Sequence, residues 1–195
     1  LILRGFGPLL SGLICYQLFK TKNQHKITFN GSRPAITYGV VLLAISLPMF
    51  LTGKHEIFIT VITQFIYSFG EEFGWRHYLQ NAVSSFNKWV QSLTIGILWF
   101  FWHYALTYNP IKIITGQDIP LYAGIPLLIL ILSILSFIWG DLTIKTKSIL
   151  IPTVYHYVGK IGDTVSFGII IISIILLHIF WDKLISKTDR KFNST

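Results

Sequence analysis

Tyr67-Ser68-Phe69-Gly70-Glu71-Glu72-Phe73-Gly74-Trp75-Arg76 closes an apolar run that starts near residue 57 and carries no earlier charge. Two adjacent carboxylates at the end of such a run need an explanation, and the surroundings decide which one. The chain is 52% hydrophobic and only 12% charged, with a mean hydropathy of +0.61. A soluble domain carries roughly 25% charged residues. So little polar surface would not keep this much Ile, Leu and Phe dissolved, whereas a bilayer accounts for the deficit directly. A charged side chain at membrane depth costs about 2.5–3.5 kcal/mol on insertion scales, so it usually faces a polar cavity or a partner. The quoted stretch therefore reads as the polar floor of a membrane helix.

Working outward, seven apolar segments emerge at about 5–19, 35–52, 57–75, 89–107, 121–139, 148–162 and 164–181. They predict an all-α, polytopic transmembrane bundle of about seven spans, in one domain over residues 1–195. The sixth segment is short for a crossing of roughly 20 residues and contains Pro152, so a kinked or partly spanning helix is expected there. Leu1 is not an initiator and no signal-peptide pattern precedes the first span, so the expectation is a chain lacking its true N-terminus. Neither internal repeats nor low-complexity segments are visible.

The net charge of +8 does not mark a nucleic-acid binder, because no helix carries a basic face. The regions 20–34, 76–88, 140–147 and 182–195 hold twelve of the sixteen Lys and Arg residues, leaving Arg4, Lys54, Lys112 and Lys160. Alternating spans put those four regions on one side, which the positive-inside rule makes cytoplasmic, together with the C-terminus. The expected location is an integral position in a cell membrane. Cys15 is alone and can close no internal disulfide.

Among the other ionisable residues within the spans, two stand out: His103, in Trp99-Phe100-Phe101-Trp102-His103, and His156, in Pro152-Thr153-Val154-Tyr155-His156. Glu72 and Arg76 are four apart, share a helix face and can form an ion pair. Glu71 is turned by about 100° from Glu72 and points at a different neighbour, available as a general base. An interfacial Glu–Arg cluster that only anchors a helix end is the bland alternative. His103 shares its face with Gly96 and Thr107, where a neighbour can approach closely. His156 shares a face with Thr153, Lys160 and Asp163, a polar stripe inside an apolar span. His178 has no polar companion on its own face and reads as structural or interfacial. Two histidines and a carboxylate pair on three spans are what hydrolytic activation of water requires.

Glu71-Glu72-x-x-x-Arg76 resembles the first motif of the CAAX-protease and bacteriocin-processing (Abi) family. Trp99-x-x-x-His103 resembles its second, and His156 stands where its third, His-x-x-x-Asn/Asp, begins. The opening Arg4-Gly5-Phe6-Gly7-Pro8-Leu9 is similar to the start of such domains. The resemblance implies an eight-helix-type fold and an endopeptidase acting on a membrane-embedded or lipidated peptide. It implies Glu71 as general base, His103 as a second anchor for the water, His156 as an oxyanion donor, and Glu72 with Arg76 as the supporting pair. Lys160 departs from the motif, which asks for Asn or Asp there. A non-catalytic immunity or binding protein of the same fold is the alternative, and a proton-relaying transporter a more distant one.

Two questions stay open at the level of sequence. Two histidines and one glutamate make a familiar zinc set, so zinc on Glu71, His103 and His156 stands beside the preferred reading without a cofactor. Depth is the second question. At 1.5 Å per residue, Glu71 lies about 9 Å inside the expected interface and His103 about 20 Å. They meet only if the fourth helix starts later, tilts, or borders a cavity.

Overall fold

The computed structural model describes residues 2–52, 57–106, 111, 112, 116–161, 164–181 and 183. Among them are seven long helices: α1 (Ile2–Phe19), α2 (Pro34–Thr52), α3 (Ile57–Glu72), α4 (Lys88–Leu106), α5 (Leu121–Thr146), α6 (Leu150–Ile161) and α7 (Thr164–Phe180). The expected segments and these helices coincide closely, except at two ends. Helix α3 does not stop at the carboxylates but continues as a π-helical stretch, Phe73–Leu79, and a final turn, Gln80–Ala82. Helix α5 runs seven residues past the expected end, to Thr146, where Lys147 takes a left-handed conformation (φ 55°).

The ends of the other helices follow from local chemistry. Asn87 Oδ1 accepts the Val90 N–H at 3.0 Å and caps α4, satisfying one of its unpaired donors. Ser148 Oγ accepts the Leu150 N–H at 3.2 Å at the start of α6. Pro152 falls in the first turn of α6, where its missing N–H removes no helical bond, so it does not kink the helix. Helix α6 is nevertheless short, and residues 150–158 are all buried. It is a half-length helix enclosed by α2, α3, α5 and α7.

Helix α1 lies on α3 and its π-helical extension, and α4 lies along α5. Small residues set both approaches. A Cβ at Gly5 would stand 2.5 Å from the Tyr67 carbonyl oxygen, so α1 touches the α3 backbone there. A Cβ at Gly96 would stand 2.7 Å from Ser133 N, so the close approach expected at Gly96 is made by α5. Thr107, expected on the same face, lies outside the described residues.

At one end of the bundle the 20–33 segment knits the helix ends together. Thr28 and Ser148 form an isolated parallel bridge, with Thr28 N donating to Lys147 O (2.8 Å) and Ile149 N to Thr28 O (3.0 Å). Ser32 N donates to Thr146 O at 2.8 Å, His25 N to Asn81 Oδ1 at 3.1 Å, and Arg33 stacks over Trp181. Parts of the regions expected on one side of the membrane thus converge at one end.

The outer surface is aliphatic. Leu42, Ile59, Leu130 and Ile172 are each more than half exposed, which suits contact with lipid. Among the described helices α5 alone is both long and apolar enough to cross a bilayer by itself; shorter apolar helical stretches are Gly5–Phe19 and Pro34–Ser46. The all-helical class is as expected, while the count of seven spans rests on the sequence pattern.

Candidate active site

The extension of α3 changes the depth arithmetic. From Ala82, the end of the third helix, to Glu71 is eleven residues, and from Lys88, the start of α4, to Trp99 is also eleven. Each is about 16 Å at 1.5 Å per residue. Trp99 is therefore the α4 residue level with Glu71, and its Nε1 donates to Glu71 Oε2 at 3.1 Å. Carrying α3 on to Ala82 closes about half of the mismatch between Glu71 and His103. His103 lies one turn beyond, with Nδ1 2.9 Å from the Trp99 carbonyl and its ring against the Trp99 indole.

Glu71, Glu72 and Arg76 are all 0% exposed. Arg76 Nε donates to Glu72 Oε2 at 3.1 Å, as i,i+4 spacing predicts, and the turn between them is the π-helical one. Such π segments are frequent at functional sites. Its guanidinium lies between the indoles of Trp99 and Trp139, 5.4 and 5.9 Å from the ring centroids. His156, on α6, joins the two carboxylates: Nδ1 is 2.7 Å from Glu72 Oε1, and Nε2 is 3.6 Å from Glu71 Oε2. Its ring stacks on Trp139 at 5.2 Å. Glu71 has further partners in Trp102 Nε1, at 3.4 Å, and the Tyr67 hydroxyl. Lys160, one turn after His156, sits over the Tyr67 ring 3.7 Å from its centroid. Asp163, expected on the same stripe, lies outside the described residues.

Five of the six sequence-predicted positions, Glu71, Glu72, Arg76, His156 and Lys160, thus surround one buried cluster, and His103 borders it through Trp99. Tyr67 and Trp139 escape a sequence reading because an aromatic in an apolar span carries no signal of its own. Trp102 carries none either, although the second motif contains it.

An apolar cavity of about 370 Å³ lies between α1, the π-helical stretch and α4, lined by Gly12, Trp75, Tyr78, Leu98, Phe101 and Trp102 among others. Trp102 belongs to both the cavity wall and the Glu71 cluster. Gly7 lies flat against the Trp102 ring, with no room for a Cβ.

The zinc set can be weighed against this geometry. Among the described residues no three His, Cys, Asp or Glu side chains group as metal ligands; the contact of His103 Nδ1 with a backbone carbonyl is one that metal-bound and metal-free histidines both make. No step below passes through a metal, and chelation tests the zinc set Glu71, His103 and His156.

The model of the family described as type II CAAX prenyl endopeptidase, Rce1-like, matches residues 53–161, from the start of α3 to the end of α6. The chain belongs to this family. Every residue of the cluster falls inside the matched region. The Rce1-like family is a membrane-embedded protease family, which places the protein among the CAAX-protease and bacteriocin-processing proteins that its motifs resemble. No curated protein and no solved structure matches the chain significantly.

Proposed function

We propose that this Rce1-like protein is an intramembrane endopeptidase that hydrolyses a peptide bond of a membrane-embedded or lipidated substrate, with Glu71 as the general base. The observation that carries this reading is a buried carboxylate pair of which, among the described residues, Glu72 alone is hydrogen-bonded to a permanent cation. Arg76 neutralises Glu72, whereas Glu71 is oriented by the indole N–H groups of Trp99 and Trp102, which keep it ionised and able to accept a proton. Trp102 makes the longest of those bonds and opens on the apolar cavity, so its place is where a water and a peptide carbonyl would enter.

In the proposed reaction Glu71 takes a proton from water, and the hydroxide oxygen bonds to the carbonyl carbon. The resulting oxyanion collapses, the C–N bond breaks, and the proton held by Glu71 passes to the leaving amine. The products are a carboxylic acid and an amine, and the acid's proton passes to the amine to leave a carboxylate and an ammonium. His103 serves as the second anchor of the water. Oxyanion donation by His156 needs a proton on Nε2; while Nδ1 donates to an ionised Glu72, only the imidazolium has one. In the resting state His156 therefore acts as a positioning residue that holds Glu72. The C-terminus is read as cytoplasmic and the membrane as a bacterial one.

The test is cleavage of a prenylated peptide with a Cys-aliphatic-aliphatic-X end by purified protein in detergent. Glu71→Gln keeps the shape and removes the base, so turnover should fall by more than about 10²-fold. Undiminished turnover in that variant would falsify the assignment. Activity that survives exhaustive chelation supports chemistry without a metal. If the wild type cleaves nothing but binds a membrane partner or confers immunity, the non-catalytic reading replaces this one.

A further inference from the structure

Lys160 Nζ is enclosed and has no hydrogen-bond partner among the described residues, although an ammonium carries three donors. Among the described residues the face of Tyr67 lies 3.7 Å from it, and the charges of Glu71 and Glu72 attract it from farther away. A cation–π contact offsets part of the lost hydration but takes up no N–H directionally. The nearby carboxylates are already committed: Glu72 to Arg76 and His156, and Glu71 to Trp99, Trp102 and Tyr67. Neither forms an ion pair with Lys160. A buried polar group without a partner calls for an explanation. One that sits a single aromatic ring from the proposed base calls for one connected with substrate.

Resting on the protease reading, we propose that Lys160 is a specificity-determining residue whose ammonium binds a carboxylate of the peptide substrate beside the scissile bond. The residue is partly exposed while its terminal nitrogen is enclosed. Rotation of the flexible, partly exposed lysine stem is what brings the enclosed ammonium to an incoming carboxylate, which once there is shielded from water. Charge-assisted hydrogen bonds gain most in that setting. Tyr67 touches the ammonium with its ring and Glu71 with its hydroxyl, so a carboxylate bound there would lie near the base and set which peptide bond faces it. The carboxylate has two sources, the free C-terminus of the peptide or an Asp or Glu side chain. An oxyanion donor at this position would instead speed cleavage of every substrate alike.

The experiment uses the full chain carrying Glu71→Gln, so that binding is read without cleavage. Fluorescence anisotropy follows a labelled prenylated peptide with a Cys-aliphatic-aliphatic-X end as the free acid, as the C-terminal amide, and as the amide with Asp at X. The free acid should bind about 10-fold or more tighter than the plain amide, the ratio expected of one charge-assisted hydrogen bond. Adding Lys160→Met should erase the gap, and Lys160→Arg should keep it. Recovery of tight binding by the Asp amide identifies a side-chain carboxylate as an accepted source and supports the same chemistry. Equal binding of acid and both amides with Lys160 intact overturns the proposal, as does a gap that persists in Lys160→Met, or no binding at all. The acid–amide ratio with Lys160 intact needs no folded Lys160 variant. Turnover by the wild type, measured separately, shows whether the protease reading has failed instead.

Discussion

Two clusters in this protein are built from the same residue types. One joins Glu71, Glu72, Arg76 and His156, with side chains between 0% and 5% exposed. The other joins Asp141, Lys88 and His178 on α5, α4 and α7, with side chains 21%, 60% and 50% exposed. Each has carboxylate, cation and imidazole. In the first, indoles wall the charges off from solvent. In the second, water competes for every contact, and His178 Nδ1 stands 3.7 Å from Asp141. His178 was expected to have no polar companion on its own face; the companion comes from a neighbouring helix. Enclosure, rather than residue type, separates a candidate site from a surface pair.

The largest effect expected from breaking this contrast is at Arg76. Arg76→Ala leaves Glu72 buried beside His156 with no cation, and removing one partner of a buried pair typically costs about 3–5 kcal/mol. Folded yield in detergent and peptide cleavage should fall together. Normal thermal stability with full activity in Arg76→Ala would reduce the buried cluster to the status of the exposed one.

A second variant reaches the cluster through packing. Gly96→Val adds a branched side chain where a single Cβ already meets Ser133 N at 2.7 Å. Backbone cannot yield as a flexible side chain does, so about 1–3 kcal/mol of destabilisation follows, measured by thermal unfolding. The shift of α4 against α5 should also loosen Trp99 and lower activity. Unchanged stability would mean that α4 and α5 are not in the close contact described.

These two positions also mark how far the sequence was legible. Apolar runs identified the helices because a bilayer demands long uninterrupted ones, and Glu71, Glu72, Arg76 and His156 stood out because charge is rare there. The end of α3 was misjudged because Arg76, His77, Gln80 and Asn81 look like a polar loop. In the fold they are the polar end of a continuing helix: Gln80 Nε2 donates to Gly140 O at 3.0 Å, and Asn81 bonds the 20–33 segment. Single-sequence polarity does not distinguish buried hydrogen-bonded side chains from exposed ones. The same limit hid Trp139 and Tyr67, whose roles come from which ring faces which charge. Lys160 was visible as an oddity, but its contact with Tyr67 depends on how α6 meets α3, which no spacing rule supplies.

A milder change should separate the roles of the two indoles on Glu71. Trp102→Phe removes the 3.4 Å donor and keeps most of the aromatic bulk. Trp99→Phe removes the 3.1 Å donor as well as part of the surface over Arg76. Trp99→Phe should cost more, about 1–3 kcal/mol in stability for the partner left unsatisfied. Trp102→Phe should alter turnover more than stability. The reverse order, read from melting temperature and cleavage rate on the same preparations, would place the entry point for water on the other side of the carboxylate.

The smallest effect belongs to the exposed cluster. Asp141 receives Lys88 Nζ and faces His178, and it also borders an apolar groove formed by α5 and α7. Asp141→Asn keeps the shape and removes the charge. Exposed ion pairs are worth about 0.2–1 kcal/mol at most, because water and salt screen them and long side chains lose freedom in forming them. The expected change in unfolding free energy is therefore under about 1 kcal/mol, shrinking further as salt is raised. Cleavage should stay at the wild-type level, since no contact links Asp141 to Glu71. A loss of activity in Asp141→Asn comparable with Arg76→Ala would mean that the end of α5 carries coupling to the buried cluster, through Gly140 and the Gln80 side chain bonded to it.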